Sequence, residues 1–201
     1  MDNKLTPLSG LDAAGLQQLA DLHCAVMQTL LSELGAPMVL RYYQLAQSNA
    51  SALGLCTVSN LGTITGWAMG SPQPAALNAS LRQPIGWFIG QILKLAFSRP
   101  GVLISLLRSL LSSSDPNRLS PGQIELTYIG VAPEAQGHGL GKTLLESFCE
   151  SARQAGYTSI GLSVETDNLV AIQLYGRAGF KIAKTFHEGS FERHRMELSL
   201  A

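Results

Sequence analysis

Apolar residues recur every three or four positions from Leu11 to Leu34 and again from Met38 to Gln47, a spacing that predicts two helices. Ser9 stands where the first would be capped, Gly35 where it would close, and Pro37 opens the second. The period then shortens. Ala52 to Val58 and Thr63 to Met69 read as strands, and Ser59-Asn60-Leu61-Gly62 between them is a turn signal, so the pair predicts a hairpin. After a long interval, Gly122 to Val131 reads as a strand, Gly139 to Gly156 as a helix, Ser159 to Val164 as a strand and Asn168 to Ala178 as a helix. Lys181 to Phe186 and Arg193 to Leu198 finish as strands. Strands alternating with helices in this way predict an α/β fold around a mixed sheet with a parallel central pair.

The interval from Pro72 to Pro121 carries two further apolar stretches, Ile85 to Phe97 and Val102 to Leu111, which Pro100-Gly101 breaks into two helices. Each is shorter than the roughly 20 apolar residues that a bilayer crossing needs. A helical cover packed on the sheet is the first expectation for them. A homodimer interface is the second, because a large apolar surface left open is a liability. Peripheral membrane contact through residues 82–112 is the third, suggested by basic residues beside Trp87, Phe88 and Phe97. No Asp or Glu occurs between Glu33 and Asp115, while Arg41, Arg82, Lys94, Arg99 and Arg108 do, so this interval is locally basic.

Composition narrows the functional classes. A chain of 201 residues, 46% hydrophobic and 14% charged, can bury one well-packed domain spanning 1–201 and is not disordered. Its formal net charge is zero, so nothing global draws it to nucleic acid or to an anionic surface. Cys24, Cys56 and Cys149 are odd in number and lack metal-ligand spacing, which assigns them to packing. The start Met1-Asp2-Asn3-Lys4 has no apolar signal core, and a cytoplasmic setting is the simplest expectation. Neither histidines nor cysteines cluster, so no metal is expected.

Candidate chemistry begins at Gln136-Gly137-His138-Gly139-Leu140-Gly141-Lys142-Thr143, between a predicted strand and a predicted helix. Glycine at alternate positions removes every Cβ from one side of such a turn, so a phosphate can approach several N–H groups and the positive end of the helix dipole. The run is neither of two named phosphate motifs. A P-loop would need glycine at Gln136, and neither Gly137 nor Gly139 starts a complete G-x-G-x-x-G. What remains is Q-x-x-G-x-G.

That pattern, preceded by Glu125-Leu126-Thr127-Tyr128-Ile129-Gly130-Val131 and followed by Asn168-x-x-Ala171-x-x-x-Tyr175-x-x-x-Gly179-Phe180, resembles the GCN5-related N-acetyltransferase (GNAT) family. The resemblance is specific from about residue 123 to 187 and general upstream. It implies a mostly antiparallel mixed sheet, flanked by helices, whose parallel central pair splays to admit the pantetheine arm of acetyl-CoA. Main-chain groups of Ile129 and Val131 would then pair with the pantetheine amides like an added strand. The pyrophosphate would be held by N–H groups of Gln136, Gly137, His138, Gly139, Leu140, Gly141, Lys142 and Thr143. His138 reads as simply exposed, and Gln136 as a residue that can instead fix the loop through its side chain.

The resemblance also implies direct transfer of acetyl to a primary amine in a ternary complex. An alkylamine with a pKa near 10.4 is mostly protonated at neutral pH and must lose a proton before it attacks. Glu125 would be the general base, often through water, and Tyr175 the general acid for the departing thiolate, with Asn168 hydrogen-bonded to the pantetheine region. Bland readings stand beside these: a solvent-facing glutamate on a strand and a core tyrosine on a helix. The acceptor would be a small-molecule or peptide amine. Two alternatives stay open, an acyl-CoA-binding regulatory module without transferase activity and transfer of a longer acyl chain to a membrane-associated acceptor.

Overall fold

The computed structural model describes residues 3–98, 119–188 and 191–200; the predicted helix Val102 to Leu111 lies outside them. Seven strands form one sheet in the order β1-β2-β3-β4-β5-β7-β6: β1 Asn3–Pro7, β2 Leu53–Ser59, β3 Ile64–Ser71, β4 Gln123–Val131, β5 Ser159–Glu165, β6 Lys181–Glu188 and β7 Phe191–Ser199. Every neighbouring pair is antiparallel except β4 and β5. The edge strand β1, too short and mixed in polarity to stand out in the sequence, pairs Thr6 with Cys56 of β2.

Helices cover both faces. On one lie α1 (Ala13–Val26), α2 (Leu30–Glu33) and α3 (Ala36–Ser48), enclosing a core built around Leu19, Met38, Tyr42, Tyr43, Trp67 and Met69. The single helix expected from Leu11 to Leu34 is therefore two. Its cap is Asp12, whose Oδ1 accepts from the Gly15 N–H at 2.8 Å, in place of Ser9. The chain breaks after Val26 because Thr29 and Ser32 form a reciprocal capping box, each side-chain oxygen accepting the other's backbone N–H. Gly35, at φ 89°, then turns the chain into α3.

Between β3 and β4 run α4 (Pro74–Ser80) and α5 (Ile85–Ser98). Trp87 and Phe88 of α5 pack onto the α1/α3 core, and the Arg41 guanidinium lies 5.6 Å from the Trp87 ring while donating to the Gln83 carbonyl at 2.9 Å. Ile85, Ile89 and Leu93, one α5 face at four-residue spacing, are exposed.

The opposite face is covered by α6 (Leu140–Gln154) and α7 (Leu169–Arg177). Their core gathers Leu144, Leu145 and Phe148 of α6 with Ile124, Leu126, Ile160, Leu162 and Met196 of the sheet. Alternation along β4 therefore sends Leu126 to the α6/α7 side and Glu125 to the α1/α3 side.

Candidate functional site

The parallel pair is joined over one end only. Gln123, Ile124 and Glu125 pair with Ser159, Ile160 and Gly161, and there the β4–β5 ladder stops. From Leu126 onward β4 pairs with β3 alone, and from Leu162 onward β5 pairs with β7 alone. The cause lies in β4: Leu126 opposes Gly70 and Tyr128 opposes Met69, leaving Thr127 as an extra residue. Such a bulge bends and twists its strand, swinging the rest of β4 away from β5. Burial follows the same boundary, with Gln123 to Leu126 buried and Thr127 to Val131 half-buried.

The Ala132 N–H donates to the Thr65 carbonyl of β3 at 2.8 Å. By strand alternation, the main-chain groups of Ile129 and Val131 point away from β3, into the gap. Beyond the strand, a 3-10 turn at Pro133–Ala135 leads into the glycine run. Gly137 and Gly139 both have φ 79°, the left-handed region where a side chain is strained, and nothing lies within 4 Å of where their Cβ atoms would be. These glycines answer a backbone requirement and leave open space beside the turn. Gly139 caps α6, so the first-turn N–H groups of Leu140, Gly141 and Lys142 have no acceptor within the helix and face its N-terminal end.

Gln136 Nε2 donates to the Val131 carbonyl at 3.1 Å, tying the turn to the end of β4. Thr143 Oγ1 lies 3.4 Å from the Gly139 carbonyl, Lys142 makes an exposed pair with Glu146 at 3.7 Å, and His138 is exposed. A methyl on Gly141 would sit 3.6 Å from Leu174 Cδ2 and 3.9 Å from Val131 Cγ2, so the strand end, the start of α6 and α7 converge at this position. A group with phosphates and an extended amide arm fits this cradle: donors at the helix mouth, a glycine surface without side chains, and a strand edge leading inward.

The two residues expected to do chemistry sit on opposite sides of the sheet. Tyr175 belongs to the α6/α7 core, with 7% of its surface exposed and its ring 5.8 Å from Phe180. Burial pushes its phenol up to about 12, so the proton stays on across the physiological range. Asn168 caps α7, its Oδ1 accepting from the Ala171 N–H at 3.1 Å, which leaves its amide nitrogen for other partners. Glu125, on the α1/α3 side at the last joined pair, is buried and held by Arg195 of β7, whose Nη1 lies 2.7 Å and 2.5 Å from the two carboxylate oxygens.

Arg195 was not anticipated, and neither was the role of Gly161. The guanidinium reaches β4 by passing over β5 at Gly161, where a Cβ would stand 2.6 Å from Arg195 Cζ and 3.1 Å from Glu125 Oε2. The local sequence does not mark it, since Arg195 lies in a largely polar predicted strand, Arg193-His194-Arg195-Met196-Glu197-Leu198. Next along β7 on the same face, Arg193 pairs with Glu165 at 3.3 Å and Glu188 at 2.8 Å. Burial pushes the Tyr128 phenol up to about 12, against the opposing pull of the Arg193 charge.

His23 was likewise not singled out. It is fully buried beneath Tyr128, with Nδ1 2.8 Å from the Tyr43 hydroxyl and Nε2 3.3 Å from Thr29 Oγ1, and burial lowers it from 6.5 to about 4. Burial also lifts the thiols of Cys56 to about 12 and Cys149 to about 11, which suits packing and not nucleophilic attack. Among the described residues no group of three His, Cys, Asp or Glu side chains is placed to hold a metal, and no helix is long and apolar enough to cross a membrane.

Residues 18–180 match the model of the Acetyltransferase (GNAT) family. Over 100 residues the chain is 34% identical to a mycothiol acetyltransferase of Saccharomonospora viridis, an alignment covering 49% of the chain and 33% of that protein. Over 108 residues it is 33% identical to the N-alpha-acetyltransferase RimI of Mycobacterium tuberculosis, covering 54% of the chain and 60% of the relative. The chain thus spans between a third and three-fifths of the length of these curated relatives. The structure of yncA from Salmonella typhimurium, solved with its cofactor acetyl-CoA, superposes with a TM-score of 0.63 at 16% identity, covering all of this chain and 95% of that one.

Proposed function

The chain belongs to the GNAT acetyltransferase family, whose acyl donor is acetyl-CoA, and on that premise we propose that it moves an acetyl group directly to a primary amine in a ternary complex. The observation that carries this reading is the parting of β4 from β5 after Glu125, with a glycine-lined helix mouth at the open end. When bound, acetyl-CoA supplies an electrophilic thioester carbonyl.

The chain's own residues supply the rest. First-turn N–H groups from Leu140 to Lys142, together with those of the preceding turn, bind the pyrophosphate, and the α6 dipole adds to their attraction. The Ile129 and Val131 main chain lines the gap and orients the arm, with the amide nitrogen of Asn168 as a further donor. Glu125 takes the proton of the incoming ammonium at a carboxylate oxygen, through a water. Tyr175 holds a proton at its phenol oxygen for the departing sulfur, and the proton that nitrogen sheds on forming the amide restores it. One proton is released overall, to Glu125 and then to solvent.

The acceptor class is a primary amine, on a small molecule or at a peptide end. The two relatives' names divide along that line, one naming mycothiol and the other an Nα group. Titration calorimetry with CoA, followed by a panel of amines with acetyl-CoA and free thiol as the readout, tests the assignment. Binding together with amine-dependent thiol release is expected. No affinity for CoA would end the proposal, and binding without turnover on any amine would favour a regulatory module.

A further inference from the structure

The reading of Glu125 as proton acceptor leaves a question of placement, since a glutamate has three rotatable bonds and the amine must meet it at one spot. On the α1/α3 face, strand register sets Ser71 of β3 beside Glu125, Gly161 beyond it on β5, and Glu197 and Lys181 in the same row. The next row holds Ser163, Arg195 and Lys184. Arg195 leaves its own row, crosses Gly161 diagonally and grips both carboxylate oxygens with one nitrogen, while its Nε lies 3.7 Å from Glu197 Oε1. The Arg195 and Glu125 side chains are 4% and 9% exposed.

A buried ion pair of this kind is a poor device for stability, because desolvation of both charges offsets their attraction. It is a good device for orientation. A charge-assisted contact from one nitrogen to both oxygens holds the carboxylate end of Glu125 in place beside Gly161. The pair also stands at the last rung before the strands part, where a side chain on β4 first faces the gap.

We propose that Arg195 is a positioning residue for acetyl transfer: it holds the Glu125 carboxylate at the vertex of the gap, and Gly161 is the notch that lets it through. This rests on the assignment of Glu125 as the proton acceptor. Arg195 acts through Glu125: it decides where the proton arrives.

Steady-state kinetics against pH on Arg195→Met, Arg195→Lys, Gly161→Ala and Glu125→Gln test this. Arg195→Met should lower kcat by about 10-fold or more, leave KM for acetyl-CoA within about 2-fold, and move the acid limb of kcat/KM to higher pH as the carboxylate loses its cation. Gly161→Ala, which alters neither charged residue, should do the same by displacing the guanidinium. Arg195→Lys, which keeps a cation, should bring the acid limb back toward the wild-type position. Unchanged kcat and an unmoved acid limb in folded Gly161→Ala, beside a loss of about 100-fold in Glu125→Gln, would overturn the positioning role alone. Wild-type turnover in Glu125→Gln would instead overturn the base assignment, and this role with it.

Discussion

The side-chain amide of Gln136 donates to the main-chain carbonyl of Val131 at 3.1 Å, so the glycine turn is anchored to the end of the strand that lines the gap. One hydrogen bond thus ties together two parts of the proposed cofactor cradle. A neutral bond at an exposed site contributes about 1 kcal/mol. Gln136→Ala should therefore raise KM for acetyl-CoA about 5-fold with kcat nearly unchanged, as read from initial rates at varied acetyl-CoA.

Gly139 at φ 79° caps α6 and needs a left-handed backbone. Gly139→Ala places a Cβ in that conformation at a cost of roughly 1–2 kcal/mol and turns the first N–H groups away from their common centre. The expected outcome is a fall in CoA affinity of 10-fold or more by calorimetry, with a drop of a few degrees in melting temperature.

Tyr175 keeps its proton because burial has raised it to about 12, and the same burial would make a thiolate placed beside it costly. Tyr175→Phe preserves the ring that packs on Phe180 and removes only the hydroxyl. CoA affinity should stay within about 2-fold while kcat falls by about 100-fold, the usual scale of acid catalysis. Unchanged turnover at saturating acceptor would remove the acid role.

His23 gives the fold an acid limit. Its pKa is lowered from 6.5 to about 4 in the folded protein, so between those values the unfolded chain binds the proton that the folded one refuses. Stability is fully present above 6.5 and is lost as pH falls toward 4, by roughly 3 kcal/mol once both forms are protonated. Urea unfolding at pH 7 and pH 4.5 should show this loss. His23→Gln should show a smaller difference between the two pH values, whatever its stability at pH 7.

Much of the fold was legible because local rules and the final packing agree along most of the chain. The strand at Gln123–Val131, the helix at Leu140–Gln154 and the strand at Ser159–Glu165 fall close to where periodicity and glycine punctuation put them. The break between α1 and α2 was missed because apolar spacing continues across Val26 to Leu30 while Thr29 and Ser32 cap a new helix there. The short strand β1 was missed because its identity comes from its partner β2 and hardly from its own residues.

What the sequence by itself determined is the order of elements and the backbone chemistry of the glycine turn, since these depend on residues near one another in the chain. The tertiary structure alone decided where the sheet opens and what faces the opening. The bulge at Thr127 is defined only against β3, and Arg195 reaches Glu125 only because β7 lies next to β5 and Gly161 leaves the crossing clear. Seventy positions separate the two charges. No local period carries a contact of that span, because it exists only once the chain entropy of three strands has been given up to form the sheet.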